Sequence, residues 1–120
     1  MVSARGVTSR ILEPAGPLVF MLGDSLPDLT FEIDYDSGGP VVLTGATVTC
    51  AISRLKGITA AITGTCTLTD ANAGICIFSF GAFTFTSPGT YIGQVKITNS
   101  TRVLSTQKFL IEVVEKVAGL

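Results

Sequence analysis

Apolar and polar residues alternate along this chain at the period of two that is typical of β-strands. In "LTFEIDY" (29–35), four apolar or aromatic side chains share one face, and Thr30, Glu32 and Asp34 share the other. A short apolar run, "LVFML" (18–22), precedes this strand. The alternation recurs in "TVTCAISRL" (47–55), "AITGTCTLTD" (61–70), "ICIFSF" (75–80), "SPGTYIGQVKIT" (87–98) and "VLSTQKFLIEVVE" (103–115). The pattern predicts seven or eight strands.

In each run, one face is expected to point into the core. The residues that we expect to point inward are Leu29, Phe31, Ile33 and Tyr35, then Val48, Cys50 and Ile52, Cys66 and Leu68, Cys76, Phe78 and Phe80, Tyr91, Gly93, Val95 and Ile97, and Phe109, Ile111 and Val113.

Turn-forming residues separate the strands at intervals of about 8–12 residues, which is the spacing of a sandwich or barrel. Examples are "DSGGP" (36–40), "DANAG" (70–74) and the Pro-Gly pair at 88–89. Only a short C-terminal fragment is compatible with a helical period. We therefore predict one all-β domain, an antiparallel β-sandwich over residues 18–120, with residues 1–17 as an extended N-terminal arm.

The charge content is low for an isolated soluble domain. Charged residues make up 14% of the 120, against about 25% in typical proteins, and hydrophobic residues make up 47%. This composition predicts that other subunits cover part of the surface. The eight basic residues are scattered, so no stripe exists to bind nucleic acid, and no basic amphipathic helix exists to bind a membrane surface.

The N-terminal segment does not match a secretion signal. Glu13, Pro14 and Pro17 interrupt its apolar stretch, which is too short for the apolar core of a signal peptide. No run of 18 apolar residues predicts a membrane-spanning helix. We therefore expect a soluble protein made in the cytoplasm.

Three cysteines, Cys50, Cys66 and Cys76, lie within predicted strands. An odd number cannot form a complete disulfide framework, and no CxxC pair or histidine indicates a zinc site. We expect buried free thiols, with one disulfide or a reactive thiol as the alternative.

Five segments in a fixed order resemble a known family. They are "GDSLPDLTFEI" (23–33), "LTGATVTCAI" (43–52), "LTDANAGICIFSF" (68–80), "SPGTYIGQVKIT" (87–98) and "FLIEV" (109–113). Together they resemble the immunoglobulin-like N-terminal domain of phage baseplate upper proteins (the BppU type) and related phage virion proteins, over residues 23–114.

The resemblance implies an immunoglobulin-like sandwich with a structural role in a tailed phage. Its partners would be other virion proteins and copies of itself, and its location would be the virion, assembled in the host cytoplasm. A tail, baseplate or fibre-attachment protein and a capsid decoration protein both fit this implication. Contact with a host surface is left open.

The acidic residues Glu32, Asp34 and Asp36 share one face of the predicted strand and its exit turn. Such spacing is weakly compatible with a calcium site completed by turn carbonyl groups. It is also the ordinary pattern of a half-exposed strand, and we favour that interpretation. The sequence thus predicts no metal site and no cofactor.

Catalysis is not expected. The chain has no histidine, which excludes a Ser-His or Cys-His nucleophile, and it has no glycine-rich phosphate-binding motif. Nothing indicates a pair of carboxylates facing across a cleft.

The remaining residues of interest have structural or interface roles. Tyr91 is predicted to bond a nearby backbone group, as the tyrosine corner of sandwiches does, and Gly74, Pro88 and Gly89 are predicted turn residues. Apolar residues on nominally outward positions are interface candidates: Leu18, Phe20, Ile75, Ile77 and Leu110. The alternative is a shifted register, or cover by the second sheet.

These observations favour a non-enzymatic virion protein that acts by docking in many copies. The alternative is a carbohydrate- or receptor-binding adhesion module. Such sites are rich in exposed aromatic residues, whereas this chain has no Trp and only two Tyr.

Overall fold

The structure is a computed structural model that describes residues 6–57, 59–100 and 102–120. The strands in these residues are β1 (Val7–Glu13), β2 (Leu18–Met21), β3 (Leu29–Tyr35), β4 (Thr47–Arg54), β5 (Ala60–Thr65), β6 (Thr67–Asp70), β7 (Ile75–Phe78), β8 (Gly89–Thr98), β9 (Val103–Ser105) and β10 (Phe109–Val114). A single turn of 3₁₀ helix, Ala71–Ala73, joins β6 to β7.

The strands form two sheets that pack face to face. One sheet has four strands in the order β1-β3-β7-β6. The other has six, in the order β2-β10-β8-β4-β5, with β9 pairing with β8 beyond the end of β10. The first sheet matches strands A, B, E and D of an immunoglobulin domain, and β10, β8, β4 and β5 match G, F, C and C′. The protein is therefore an all-β, immunoglobulin-like sandwich, as predicted.

The core lies between the inner faces of the two sheets. The alternation in β3, β4 and β8 places the predicted side chains inward, and Phe31, Cys50 and Val95 are fully buried. Inward residues from both sheets meet because each strand exposes one face to the partner sheet and one to solvent. The strict alternation of these central strands thus determined the core correctly.

Aromatic residues close one end of the sandwich. The connection between β7 and β8 folds back under the sheets and buries Phe80 and Phe85. Phe85 lies 4.6 Å from Tyr91 and 6.5 Å from Phe20, measured between ring centroids. Ring pairs at such distances add favourable edge and offset contacts to the burial itself. The cluster fixes the long connection in place.

The prediction of an irregular arm over residues 1–17 is wrong for residues 7–13. These residues form β1, which pairs antiparallel with β3 from Val7↔Tyr35 onward. The proline residues that make this segment look irregular lie after Glu13, so they end the strand without interrupting it. Residues 1–5 lie outside the described part of the chain.

The described residues form ten strands where seven or eight were predicted, and three further predictions about strands need correction. The predicted single strand over 61–70 is two strands in different sheets, because the chain changes sheet at Cys66 between β5 and β6. The run "ICIFSF" stays in the sheet only as far as Phe78. In addition, β2 runs parallel to β10, with Leu18 beside Ile111, so the six-stranded sheet is mixed and not wholly antiparallel.

Candidate functional site: the outer face of the six-stranded sheet

The four-stranded sheet presents a polar outer face. Arg10 on β1 lies opposite Glu32 on β3, and Thr8 lies opposite Asp34. Arg10 Nη2 donates a hydrogen bond to Glu32 Oε1, which makes an ion pair on the surface. The acidic residues of β3 therefore lie on a hydrated face beside a basic partner, as expected for a half-exposed strand.

The weak calcium candidates do not converge on a site. Glu32 is engaged by Arg10, and Asp36 lies past the end of β3, where its backbone N–H donates to the Gly6 carbonyl oxygen at 2.9 Å. Across residues 6–57, 59–100 and 102–120, no group of three or more Cys, Asp or Glu side chains could hold a metal ion. The structure gives the calcium hypothesis no support.

The six-stranded sheet has an apolar outer face at its β2 edge. Val19 and Met21 on β2 are 53% and 45% exposed, and Leu110 on β10 is 60% exposed. In the β2–β10 register, Val19 lies beside Glu112, and Met21 lies beside Val114. Leu110 is one outward position before Glu112, so it is a diagonal neighbour of Val19. Three exposed apolar side chains thus lie close together.

A hydrogen bond turns the charge that is paired with Val19 away from this surface. Thr90 on β8 donates from Oγ1 to Glu112 Oε1 at 2.6 Å. Since β8 and β2 flank β10 on opposite sides, this bond directs the Glu112 carboxylate away from Val19. The surface next to β2 is consequently more apolar than its sequence suggests.

The C-terminal segment extends the apolar surface. Met21, Val117 and Leu120 line a groove of about 450 Å³ together with the charged residues Asp24, Glu115 and Lys116. The ion pair of Lys116 Nζ with Asp24 Oδ1, at 2.5 Å, lies at the same groove. We call Val19, Met21, Leu110, Val117 and Leu120 together the docking face.

The interface candidates predicted from the sequence are distributed over three environments. Leu110 is exposed on the docking face, whereas Leu18 is buried and Phe20 packs against the core. The prediction that Leu18 and Phe20 lie on an outer face is therefore wrong. "LVFML" has no alternation that distinguishes its two faces, and the pairing with β10 places Val19 and Met21 outward.

Ile75 and Ile77 lie on the outer face of the other sheet. They are half-buried, with Glu32 opposite Ile75 and Thr30 opposite Ile77 on β3. Polar neighbours therefore surround them, and they are not part of the docking face.

Tyr91 makes the hydrogen bond predicted for it. Its hydroxyl group donates to the Ser87 carbonyl oxygen at 2.8 Å, and its ring is buried at the start of β8. The guanidinium group of Arg54 lies 5.5 Å from the ring centroid. This geometry is the tyrosine corner of immunoglobulin-like domains, which ties the strand to the turn before it.

The predicted turn residues occupy turns. Gly74 follows the 3₁₀ turn with φ +73°, and Gly89 begins β8 directly after Pro88 with φ +134°. The Pro88 carbonyl oxygen accepts a hydrogen bond from Arg54 Nη2 at 3.4 Å. Both turns position the strands that follow them.

The three cysteines are buried free thiols, as expected. Burial, with a smaller contribution from Cys76, raises the pKa of Cys50 to about 12. A hydrogen bond to Cys76, together with burial, raises the pKa of Cys66 as well. Both thiols are therefore protonated and weakly nucleophilic near neutral pH.

The outer face of the six-stranded sheet also carries a small depression. One depression of about 170 Å³ on the outer face of β4 and β8 is lined by Ala51, Ser53, Ile92, Gln94 and Lys108, among others. This volume is below the roughly 300–1,000 Å³ of typical ligand pockets, and no carboxylate or thiol lines it. No helix in the described residues is long and apolar enough to cross a membrane.

Comparison with known proteins supports the class of fold. No protein-family model and no curated protein matches the chain. Among solved structures, the crystal structure of CopC from Methylosinus trichosporium OB3b is similar, with a TM-score of 0.57 and 11% identity over 98% of this chain and 100% of that one. At this identity the likeness concerns the fold alone, and it agrees with the β-sandwich described above.

Proposed function

We propose that this protein is a non-enzymatic structural component of a tailed phage virion. It acts by docking in many copies to other virion proteins, as a tail, baseplate or fibre-attachment protein or as a capsid decoration protein. The five segments that resemble those of phage baseplate upper proteins, in the same order, support this proposal.

The observation that carries the proposal is the docking face. A monomeric domain rarely leaves several large apolar side chains exposed together, and such patches mark interaction sites. In this chain Val19, Met21 and Leu110 are exposed on the neighbouring strands β2 and β10, and the carboxylate of Glu112, which is paired with Val19, is bonded to Thr90 on the far side. The low total charge supports the same conclusion, since covered surface needs few charges.

The experiment is to look for the protein in purified particles of the phage that encodes it, by mass spectrometry and electron microscopy. We expect several copies per particle at symmetry-related positions. Absence from purified virions would overturn the proposal. A glycan-array screen with a clear hit for the purified chain would favour the adhesion module instead.

Variants test whether the docking face is the attachment surface. Leu110→Lys combined with Val19→Lys introduces charges at exposed positions, so the fold should remain intact while incorporation into particles is lost. The matched control is Val42→Lys with Leu55→Lys, at residues that are 58% and 51% exposed and lie outside both sheets. If the double variant is incorporated as well as the control, the docking face is not the attachment surface.

A further inference from the structure

The free edges of the two sheets differ in how they are protected against pairing with another strand. Natural edge strands are protected by charges, proline, bulges or short length. On the four-stranded sheet, β1 carries Arg10 and Glu13 and an irregular register between Ile11 and Glu13. At the other edge of that sheet, β6 has four residues and ends in Asp70. Both edges therefore have recognisable protection.

The six-stranded sheet has one protected edge and one unprotected edge. The strand β2 has four residues and follows Pro17 directly. The opposite edge, β5, has six residues with the sequence "AAITGT", and it contains no charge and no proline. Its one irregularity lies near Ala60, so Ile62 to Thr65 pair regularly with β4. Among the described residues, no strand covers its other side.

The ladder with β4 shows which backbone groups face outward from this edge. The Cys66 N–H donates to the Val48 carbonyl oxygen at 2.7 Å. Gly64 and Ile62, two and four residues earlier, therefore also direct their backbone groups to β4, where they lie opposite Cys50 and Ile52. In an antiparallel ladder, alternate residues direct both backbone groups to the same neighbour. Thr63 and Thr65 therefore direct their N–H and C=O groups away from β4, towards the free edge.

The inner side of β5 is fixed against the core, so the edge is held in strand geometry. The Phe78 ring packs under Gly64, where an added Cβ would come within 2.9 Å of Phe78 Cε1. Phe78 is itself almost fully buried. A second strand that adds to this edge would thus bind a preformed template.

The outward backbone groups of β5 favour a second copy in antiparallel orientation. Two identical strands that pair antiparallel about Gly64 bring Thr63 of one copy opposite Thr65 of the other, so the groups that β4 leaves free meet each other at both positions. The strand carries no charge, so this pairing brings no like charges together along β5.

We propose that the β5 edge is a homodimer interface, in which β5 of two copies pairs antiparallel about a two-fold axis. The axis passes near Gly64, so that Thr63 of each copy pairs with Thr65 of the other. Each such pair exchanges two backbone hydrogen bonds and places two Thr side chains opposite each other on the outer face, a favourable cross-strand pair. The two six-stranded sheets become one continuous sheet.

The test uses the purified full chain, so it does not depend on whether the protein belongs to a virion. Sedimentation equilibrium from about 1 μM to about 1 mM measures the monomer–dimer constant. The variant Thr63→Lys with Thr65→Lys places like charges opposite each other across the two-fold axis. The matched control is Ser105→Lys with Thr86→Lys, which adds the same charge at exposed positions away from β5.

We expect the wild-type chain and the control to dimerise, and the β5 variant to bind at least about tenfold more weakly. A wild-type chain that stays monomeric over the whole range would overturn the proposal. So would a β5 variant that dimerises like the control.

Amide hydrogen exchange in the wild-type chain gives a second measurement that needs no variant. The Thr63 and Thr65 amides should exchange more slowly as concentration rises, whereas the Ile62 and Gly64 amides, bonded to β4, should be protected at every concentration. Exchange at Thr63 and Thr65 that is independent of concentration would show that the dimer, if present, uses another surface. This readout remains decisive if the lysine variant fails to fold.

Discussion

Replacing Gly74 by alanine should destabilise the protein far more than the same change at Gly45. Both glycines have a left-handed backbone, with φ of +73° and +78°. An added Cβ at Gly45 would meet nothing within 4 Å, whereas at Gly74 it would lie 2.5 Å from the Ile33 carbonyl oxygen and 3.0 Å from that of Val41. Gly45→Ala therefore isolates the backbone strain, and Gly74→Ala adds a steric clash with the backbone.

The expected losses in the free energy of unfolding follow from these contacts. A left-handed alanine costs roughly 1–2 kcal/mol, of which roughly 0.4–1 kcal/mol is recovered because the unfolded chain loses freedom. At Gly74 the clash also displaces two hydrogen bonds, from Ile33 N–H to the Gly74 oxygen at 2.8 Å and from Val41 N–H to the Ile33 oxygen at 2.9 Å. Each contributes about 1 kcal/mol. We expect a loss of about 1 kcal/mol for Gly45→Ala and about 2–4 kcal/mol for Gly74→Ala.

Urea denaturation followed by far-UV circular dichroism measures both values, and this probe suits a chain without Trp. The comparison requires equal m values for the two variants. If the two free energies of unfolding differ by less than about 0.5 kcal/mol, the close approach of Gly74 to β3 does not constrain the fold as argued.

Two further predictions concern the buried polar groups. Tyr91→Phe removes the hydroxyl group that donates to the Ser87 oxygen, so urea denaturation should show a loss of about 1 kcal/mol; an unchanged midpoint would contradict the tyrosine-corner role. The free energy of unfolding should fall as pH rises from about 9 towards about 12, because the folded pKa of Cys50 lies above that of the unfolded thiol and the folded state holds the proton. Cys50→Ala should reduce this slope, and an equal slope in both proteins would refute the assignment.

The central strands could be predicted from the sequence because each has one apolar and one polar face. In β3, the alternation around Phe31 and Glu32 determined both the core position and the hydrated face. The same holds for β8 around Val95. A strand with one buried face specifies its own register, so local pattern and final structure agree.

The edge strands could not be assigned in the same way. All five residues of "LVFML" are apolar, and only the partner strand β10 decides that Val19 and not Leu18 faces solvent. The sequence does not reveal the switch of sheet at Cys66 either. The alternation of apolar and polar residues continues through Cys66, whereas the pairing partner changes from β4 to β7. Which strand pairs with which depends on residues that are distant in sequence, so the pattern within one strand cannot predict it.

The chain order of the strands has a consequence for synthesis on the ribosome. All four strands of the four-stranded sheet lie before residue 79, whereas the six-stranded sheet needs β10, which ends at Val114. Leu18 of β2 cannot pair with β10 until Ile111 has been synthesised. Contacts between segments so distant in sequence form late, and unpaired apolar strands are vulnerable to aggregation until they do. The nascent chain therefore carries the apolar strand β2 without its partner for most of its synthesis.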